Sequence, residues 1–524
     1  MEAIITEKRG IGRIATFVAM ALLAVGAILG AGATKALAAG YSTLEVDGLD
    51  EGDVVTFYKV AGYENGTGYH FLAGLGDTGN DQKMTLAGSD SITLPGSADI
   101  KDWGADKAFD SARANAILGK AVKATGIEKT EVNAVKNGDS SYKATLEVDA
   151  RGMWAVTVKN GASVKKVYQN MIVAVNKQNE DKTQKITAKS EPVTITKTTD
   201  DAITGSDQDV SFTIHTSGVQ YNAGSTGRTY TIVDTLPAGL TFKSVDSIKM
   251  GTVTFAKDTD YTVTTDGQKV TIEFTDAGIK QLRNGMTVET KLTAHRDASH
   301  HGRLVNDAVL NYSDDSYTDN VTPSTDDKSP LYDITLDLTK VDGASKATLP
   351  GAVFTLQKDG KYVKADGSLS EAKVELTVTD AGKLTVKGLD EGTYTLTEVT
   401  APDGYIITDS PITFTIEATV DTSKNNTPDA TKQQLKEIKV TNVSAGSKDT
   451  GSVKTAGLMD INATGISNKD GDESVVTAKV YNTKQGTLPG LGADGTVAVT
   501  VIGAGLCVAA LGVAKARKDA ADKA

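Results

Sequence analysis

Over most of its length the chain alternates apolar and polar residues with a period of two, the pattern of strands that bury one face. In a first block, about 40–190, such runs are DVVTFYKV, YKATLEV, MWAVTVK and MIVAVNK. One stretch there, DKAFDSARANAILGKAVKATG, places its apolar residues at helical spacing and stops at Gly126, so a single helix is expected. A second block, 191–328, is strand after strand: PVTITK, DVSFTIHT, TYTIVDTL, YTVTT, KVTIEF, TVETKLTAH and RLVNDAVLNY. A third, 330–486, continues with YDITLDLTK, AVFTLQ, KLTVKG, TYTLTEV and ITFTIEAT. Short strands with turns at such intervals predict an all-β chain of tandem immunoglobulin-like sandwiches, the first with some helix. Residues 444–473 (SAGSKDTGSVKTAG and onward) show no clear period and read as a long loop or insertion.

Several apolar rows end on a polar residue that the alternation points inward. In the third block Tyr332, Ile334, Leu336 and Leu338 lead to Lys340; Tyr394 and Leu396 lead to Glu398; Val476, Ala478 and Val480 lead to Asn482. Asn442, behind Ile438 and Val440, competes for the last role. The second block repeats the set in the same order. Val193 and Ile195 lead to Lys197, Tyr230 and Ile232 to Asp234, and Leu304 to Asn306. One such residue is explained by a strand that frays into solvent, but an ordered triple in two blocks asks for more. A buried charge costs several kcal/mol unless neutralised. An apolar interior pushes a lysine toward the free amine and an acid toward the neutral carboxyl. The amine can then attack the asparagine side-chain carbon while the acid, Asp234 or Glu398, shuttles protons and ammonia leaves. The product is an amide cross-link between strands, made once and without a cofactor.

Composition narrows the class. A net charge of -12 and the lack of a basic stripe argue against a nucleic-acid partner. The start has Lys8, Arg9 and Arg13 before an apolar run and then Ala36-Leu37-Ala38, the layout of an export signal cut after Ala38. Near the other end, Val497 to Ala514 is apolar and long enough to span a bilayer, with Lys515, Arg517 and Lys518 behind it. The one cysteine, Cys507, falls in that span, so the exported region has no disulfide framework.

The residues that carry these patterns resemble Gram-positive sortase-assembled major (backbone) pilins with intramolecular isopeptide bonds. TYTIVDTLPAGLTF (229–242) and RLVNDAVLNY (303–312) are similar to the fimbrial isopeptide-forming domain. LPGAVFTLQKDGKYV (349–363), GLDEGTYTLTEVTAPDGY (388–405) and KVYNTKQGTLPG (479–490) are similar to the collagen-adhesin (Cna) B-type domain. The resemblance implies a signal peptide at 1–38, an N-terminal pilin domain at 39–190, the isopeptide-forming domain at 191–328 and the B-type domain at 329–487. It implies cross-links Lys197–Asn306 and Lys340–Asn482. It also implies that 488–524 is a sorting signal, span and basic tail, with Leu488, Pro489, Gly490, Leu491 and Gly492 in the place of the family's LPxTG. Leucine stands where threonine is usual. By the same resemblance a class C-type sortase cuts after Leu491 and joins its carbonyl to a lysine of the next identical subunit. Lys189 is the expected acceptor, since Ile186 and Ala188 face inward around it; Lys185 and Lys177 are alternatives, and the family's YPK-like motif is missing. Minor pilins and peptidoglycan are the further partners implied.

The competing reading is a wall-anchored adhesin, or a tip or basal pilin, that holds a host surface ligand with the same domains. A shaft subunit needs both an acyl donor and an exposed acceptor, whereas an adhesin needs only the donor. No nucleophile–base pair for turnover is visible, so no enzyme is expected. GLGADG (490–495) lacks a surrounding βαβ unit, and His295, His300 and His301 lack a metal-ligand pattern, so neither cofactor nor metal is expected. Lys59, behind Val55 and Phe57, ends another apolar row without an identifiable acid or asparagine partner.

Overall fold

The computed structural model describes residues 42–485 apart from 66, 86–90, 95–110, 176–181, 223–224, 408–410, 430 and 445–458. The expected signal peptide, sorting signal, apolar span and Lys177 lie outside the described residues. Among the described residues no helix is long and apolar enough to cross a membrane.

The chain divides into two compact units, residues 42–164 with 169–189, and 165–168 with 190–485. In the first, one sheet orders its strands Thr183–Thr187, Ser42–Leu49, Tyr142–Val148 and Val135–Lys136. The other runs Met171–Val175, Gly152–Lys159, Val54–Glu64 and Gly68–Phe71, with Lys129–Asn133 also on Val54–Glu64. The expected helix is Ser111–Ala121; Ile117, Leu118 and Ala121 on its inner face are fully buried. Gly126 beyond it takes φ +78°, the left-handed conformation glycine adopts most readily.

The second unit holds two sandwiches, each with its own core. In the middle one, the sheet Ile195–Thr199, Gln208–Ser217, Thr287–Arg296, Leu240–Met250 faces the sheet Tyr261–Asp266, Lys269–Phe274, Tyr230–Thr235, Leu304–Ser313. Phe212, Ile214, Tyr230, Ile232, Leu292 and Leu310 fill the space between. Asp327–Leu331 adds to Leu304–Ser313, placing Ser329 opposite Asn306 and Asp327 opposite Ala308. In the last sandwich, Ile334–Asp342 lies parallel to Ser474–Asn482, with Lys383–Leu389 and Met459–Gly465 outside them. A larger sheet containing Val353–Lys358, Gly392–Thr400, Ile412–Val420 and Leu435–Ser444 covers it.

Two expectations change. Part of the stretch expected to be a loop, Met459–Gly465, is a strand paired with Ser474–Asn482. Its three apolar residues, Met459, Ile461 and Ala463, do alternate, but over too short a run to stand out from a polar segment. Lys189, expected on a strand, sits in the link between Thr183–Thr187 and Ser190–Pro192. There the Lys189 carbonyl accepts from Gln169 N–H at 2.8 Å.

Candidate cross-linking sites

In the last sandwich, parallel pairing sets Lys340 beside Val480 and Asp342 beside Asn482, so the lysine and asparagine stand diagonally on adjacent strands. Glu398 descends from the facing sheet, where it pairs with Phe354. All three are buried among apolar neighbours, as the alternation in their strands requires. The Lys340 ammonium contacts Asn482 Oδ1 and lies 3.3 Å from Glu398 Oε1. Asn482 Nδ2 donates to Glu398 Oε1 at 3.0 Å, to Oε2 at 3.1 Å and to the Ile406 carbonyl at 3.1 Å. A backbone carbonyl only accepts, so the Ile406 contact fixes which way the carboxamide faces. The amine therefore meets the carbonyl side and the acid meets the nitrogen that would leave.

The loop that supplies Ile406 is strapped over the strand end. Ile406 N–H donates to the Thr483 carbonyl at 2.9 Å, and the Tyr405 hydroxyl donates to Asp342 Oδ2 at 2.7 Å. The Phe354 ring floors the pocket, its centroid 5.6 Å from Lys340 Nζ. Burial pushes the Lys340 amine down to about 8, against the opposing pull of Glu398. The sign for reactivity follows: below that value the amine is protonated and cannot attack, and above it the free form saturates. In chain freshly refolded without the link, formation of a Lys340–Asn482 bond is expected to accelerate about tenfold per pH unit up to about pH 8 and then flatten. Peptide mapping against pH checks this; a rate that is flat from pH 6 to 8 contradicts it.

The middle sandwich arranges its triple differently. Asp234 and the strand of Asn306 share one sheet, Asp234 opposite Ala308, while Lys197 comes from the facing sheet. All three side chains are fully buried. The Lys197 ammonium contacts Asp234 Oδ2, over the Phe212 ring at 5.0 Å. Burial pushes the lysine down and the aspartate up, each against the attraction of its partner, so both are driven toward neutrality. The Asn306 amide adjoins Asp234, yet neither its oxygen nor its nitrogen completes a well-formed hydrogen bond among the described residues. A buried carboxamide left so costs about 1–3 kcal/mol, a burden that an amide formed with Lys197 would relieve.

Other candidates part company with these. Asn442 is exposed, at φ 50°, and takes no place in the last sandwich's cluster. Lys59 is 21% exposed and faces the Glu128 carboxylate at 3.5 Å. Lys189 is exposed and has no ion pair among the described residues, whereas Lys185 is held by Glu45 at 3.0 Å and Asp47 at 3.6 Å. His295 bonds Asp209 and Asp207 at 2.8 and 3.1 Å, and among the described residues no metal-ligating cluster forms. Sequence reading missed Ile406, the aromatic floors Phe212 and Phe354, and the buried neighbours of Lys197: Asp327, Lys432 and Gln433. Of these only the phenylalanines left a trace, as members of alternating apolar rows.

Comparison with known proteins identifies the two sandwich domains. Residues 207–322 match the family Gram-positive pilin backbone subunit 2, Cna-B-like domain, and residues 334–431 match the SpaA prealbumin-like fold domain. No curated protein matches. Among solved structures, the T6 backbone pilin of serotype M6 Streptococcus pyogenes is similar at TM-score 0.55 and 16% identity, over 86% of this chain and 100% of that one. The full-length major pilin SpaD of Corynebacterium diphtheriae is a looser likeness, at TM-score 0.49 and 18% identity, over 87% of this chain and 100% of that one. The middle sandwich thus carries a Gram-positive pilin backbone domain and the last sandwich a prealbumin-like domain, in one all-β chain whose fold is similar to that of solved backbone pilins.

Proposed function

We propose that the chain is the shaft subunit of a covalent surface pilus, polymerised head to tail by a sortase and stiffened by two self-formed amides. The observation that carries the reading is the buried contact of Lys340 with Asn482 beside Glu398. At that site the Lys340 Nζ–Asn482 Cγ bond forms and the Cγ–Nδ2 bond breaks. One proton passes from Nζ through the Glu398 carboxylate to Nδ2, which departs as ammonia. Lys197, Asp234 and Asn306 undergo the same exchange in the middle sandwich.

The sorting residues Leu488 to Gly492 supply the acyl donor, cut between Leu491 and Gly492, and Lys189 supplies the acceptor amine. A class C-type sortase, identical subunits, minor pilins and peptidoglycan are the partners, at the cell wall and surface. The test is the intact mass of the purified exported chain. It is expected to fall short of the sequence mass by about 17 Da for each ammonia lost, about 34 Da for both links. A full sequence mass would remove both amides.

A further inference from the structure

The Lys197 strand is the edge of its sheet, so the outward N–H and C=O groups along it lack a strand partner. They are met instead by Asp327, on the strand added to the middle sandwich, and by two residues of the last sandwich. Lys197 N–H donates to Asp327 Oδ2 at 2.5 Å, and the Lys197 carbonyl accepts from Lys432 Nζ at 3.2 Å. Lys432 Nζ also contacts Asp327 Oδ2, both side chains being buried to within 1%. Two residues beyond Lys197, at Thr199, the Gln433 side-chain amide bonds as a strand's peptide would. It donates to the Thr199 carbonyl at 3.0 Å and accepts from Thr199 N–H at 3.3 Å. Gln433 Oε1 further accepts from the Ser329 hydroxyl at 2.8 Å, and Ser329 stands directly opposite Asn306.

The dipeptide Lys432-Gln433 thus grips the strand that carries the reactive lysine and the strand alongside the asparagine. It is presented by a turn just ahead of Leu435–Ser444, with Gln433 at φ 51° and its N–H donating to the Asp421 carbonyl at 2.9 Å. A buried ion pair adds little net stability against apolar packing, so its value lies in fixing geometry. Covering this edge also keeps water from the peptide of Lys197.

We infer that Lys432 and Gln433 are positioning residues for the Lys197–Asn306 bond, so that the middle sandwich cross-links only after the last sandwich has folded against it. This rests on the cross-linking reading above and adds an order to it. The Lys340–Asn482 bond closes on its own sandwich's folding, and the Lys197–Asn306 bond follows.

The test is peptide mapping of the full exported chain, sampled over time after a pulse of synthesis, with the two linked peptide pairs counted separately. Wild type is expected to complete both. In the double variant Lys432→Met, Gln433→Ala, the Lys340–Asn482 pair is expected at the wild-type rate, and the Lys197–Asn306 pair about tenfold more slowly or not at all. Lys432→Arg in the otherwise native chain is expected to keep most of the rate, as a second buried cation at the same carboxylate. A Lys197–Asn306 pair that forms in the double variant at the wild-type rate overturns the inference, whatever becomes of the other link. If the double variant loses both links, its last sandwich has not folded, and Asp327→Asn decides from the other side of the contact. Slowing of Lys197–Asn306 alone then supports the order, and two wild-type rates overturn it. Absence of both linked pairs from the wild type would instead remove the cross-linking chemistry itself.

Discussion

Glu398→Ala is expected to shrink the shortfall from the chain's own sequence mass by about 17 Da, one ammonia retained, and to lower the melting temperature of the last sandwich by about 10–20 °C. Among the described residues Glu398 is the carboxylate placed against both the Lys340 amine and the Asn482 nitrogen, so without it the proton loses its carrier from one to the other. Lys340 and Asn482 are 142 apart in sequence. By the loop-closure argument used for disulfides, a bridge of that span restricts the unfolded chain by about 5 kcal/mol. At about 2–4 °C per kcal/mol for a domain of this size, the melting shift follows. Glu398→Gln, which keeps the volume and removes the acid, is expected to remain unlinked as well. Intact mass and calorimetry read both effects. An Ala variant with the wild-type shortfall from its sequence mass, and wild-type melting, would show that Glu398 does not serve the bond.

Lys189→Ala is expected to abolish the ladder of detergent-resistant multimers in boiled cell-wall extracts, leaving monomer. The residue is exposed and unengaged among the described residues, whereas the Lys185 ammonium already answers two carboxylates. An acceptor must reach the acyl-enzyme as a free amine, and an ion pair must first be broken to release one. The sandwich amides are untouched by this change, so the monomer is expected to keep its mass deficit. A ladder that persists in the variant moves the acceptor to Lys185 or Lys177 and returns Lys189 to an ordinary surface lysine.

Much of the fold was legible because its strands bury one face. Tyr394, Leu396 and Glu398 lie inward as the period of two requires, and so do Val193, Ile195 and Lys197. That rule reads each strand alone, and it is blind to which strands become neighbours. The parallel pairing of Ile334–Asp342 with Ser474–Asn482 follows from topology, and so does the choice of Asn482 over Asn442. Lys432 and Gln433 were illegible for a different reason. They belong to a turn without periodicity, and their partners Lys197 and Thr199 lie 235 and 234 residues away in another sandwich. A lysine in a polar turn looks solvated until something distant encloses it. The Ile406 carbonyl was equally hidden, because its role is played by backbone that any residue would provide.

The parallel first and last strands of the last sandwich have a mechanical consequence. With the amide in place, tension entering at Ile334 runs along the first strand to Lys340, crosses to Asn482 and leaves the domain there. The intervening polypeptide hangs off this route as an unloaded loop. A protease that nicks the turn near Asp421, or an insertion tolerated there, would leave the fibre's tensile thread unbroken.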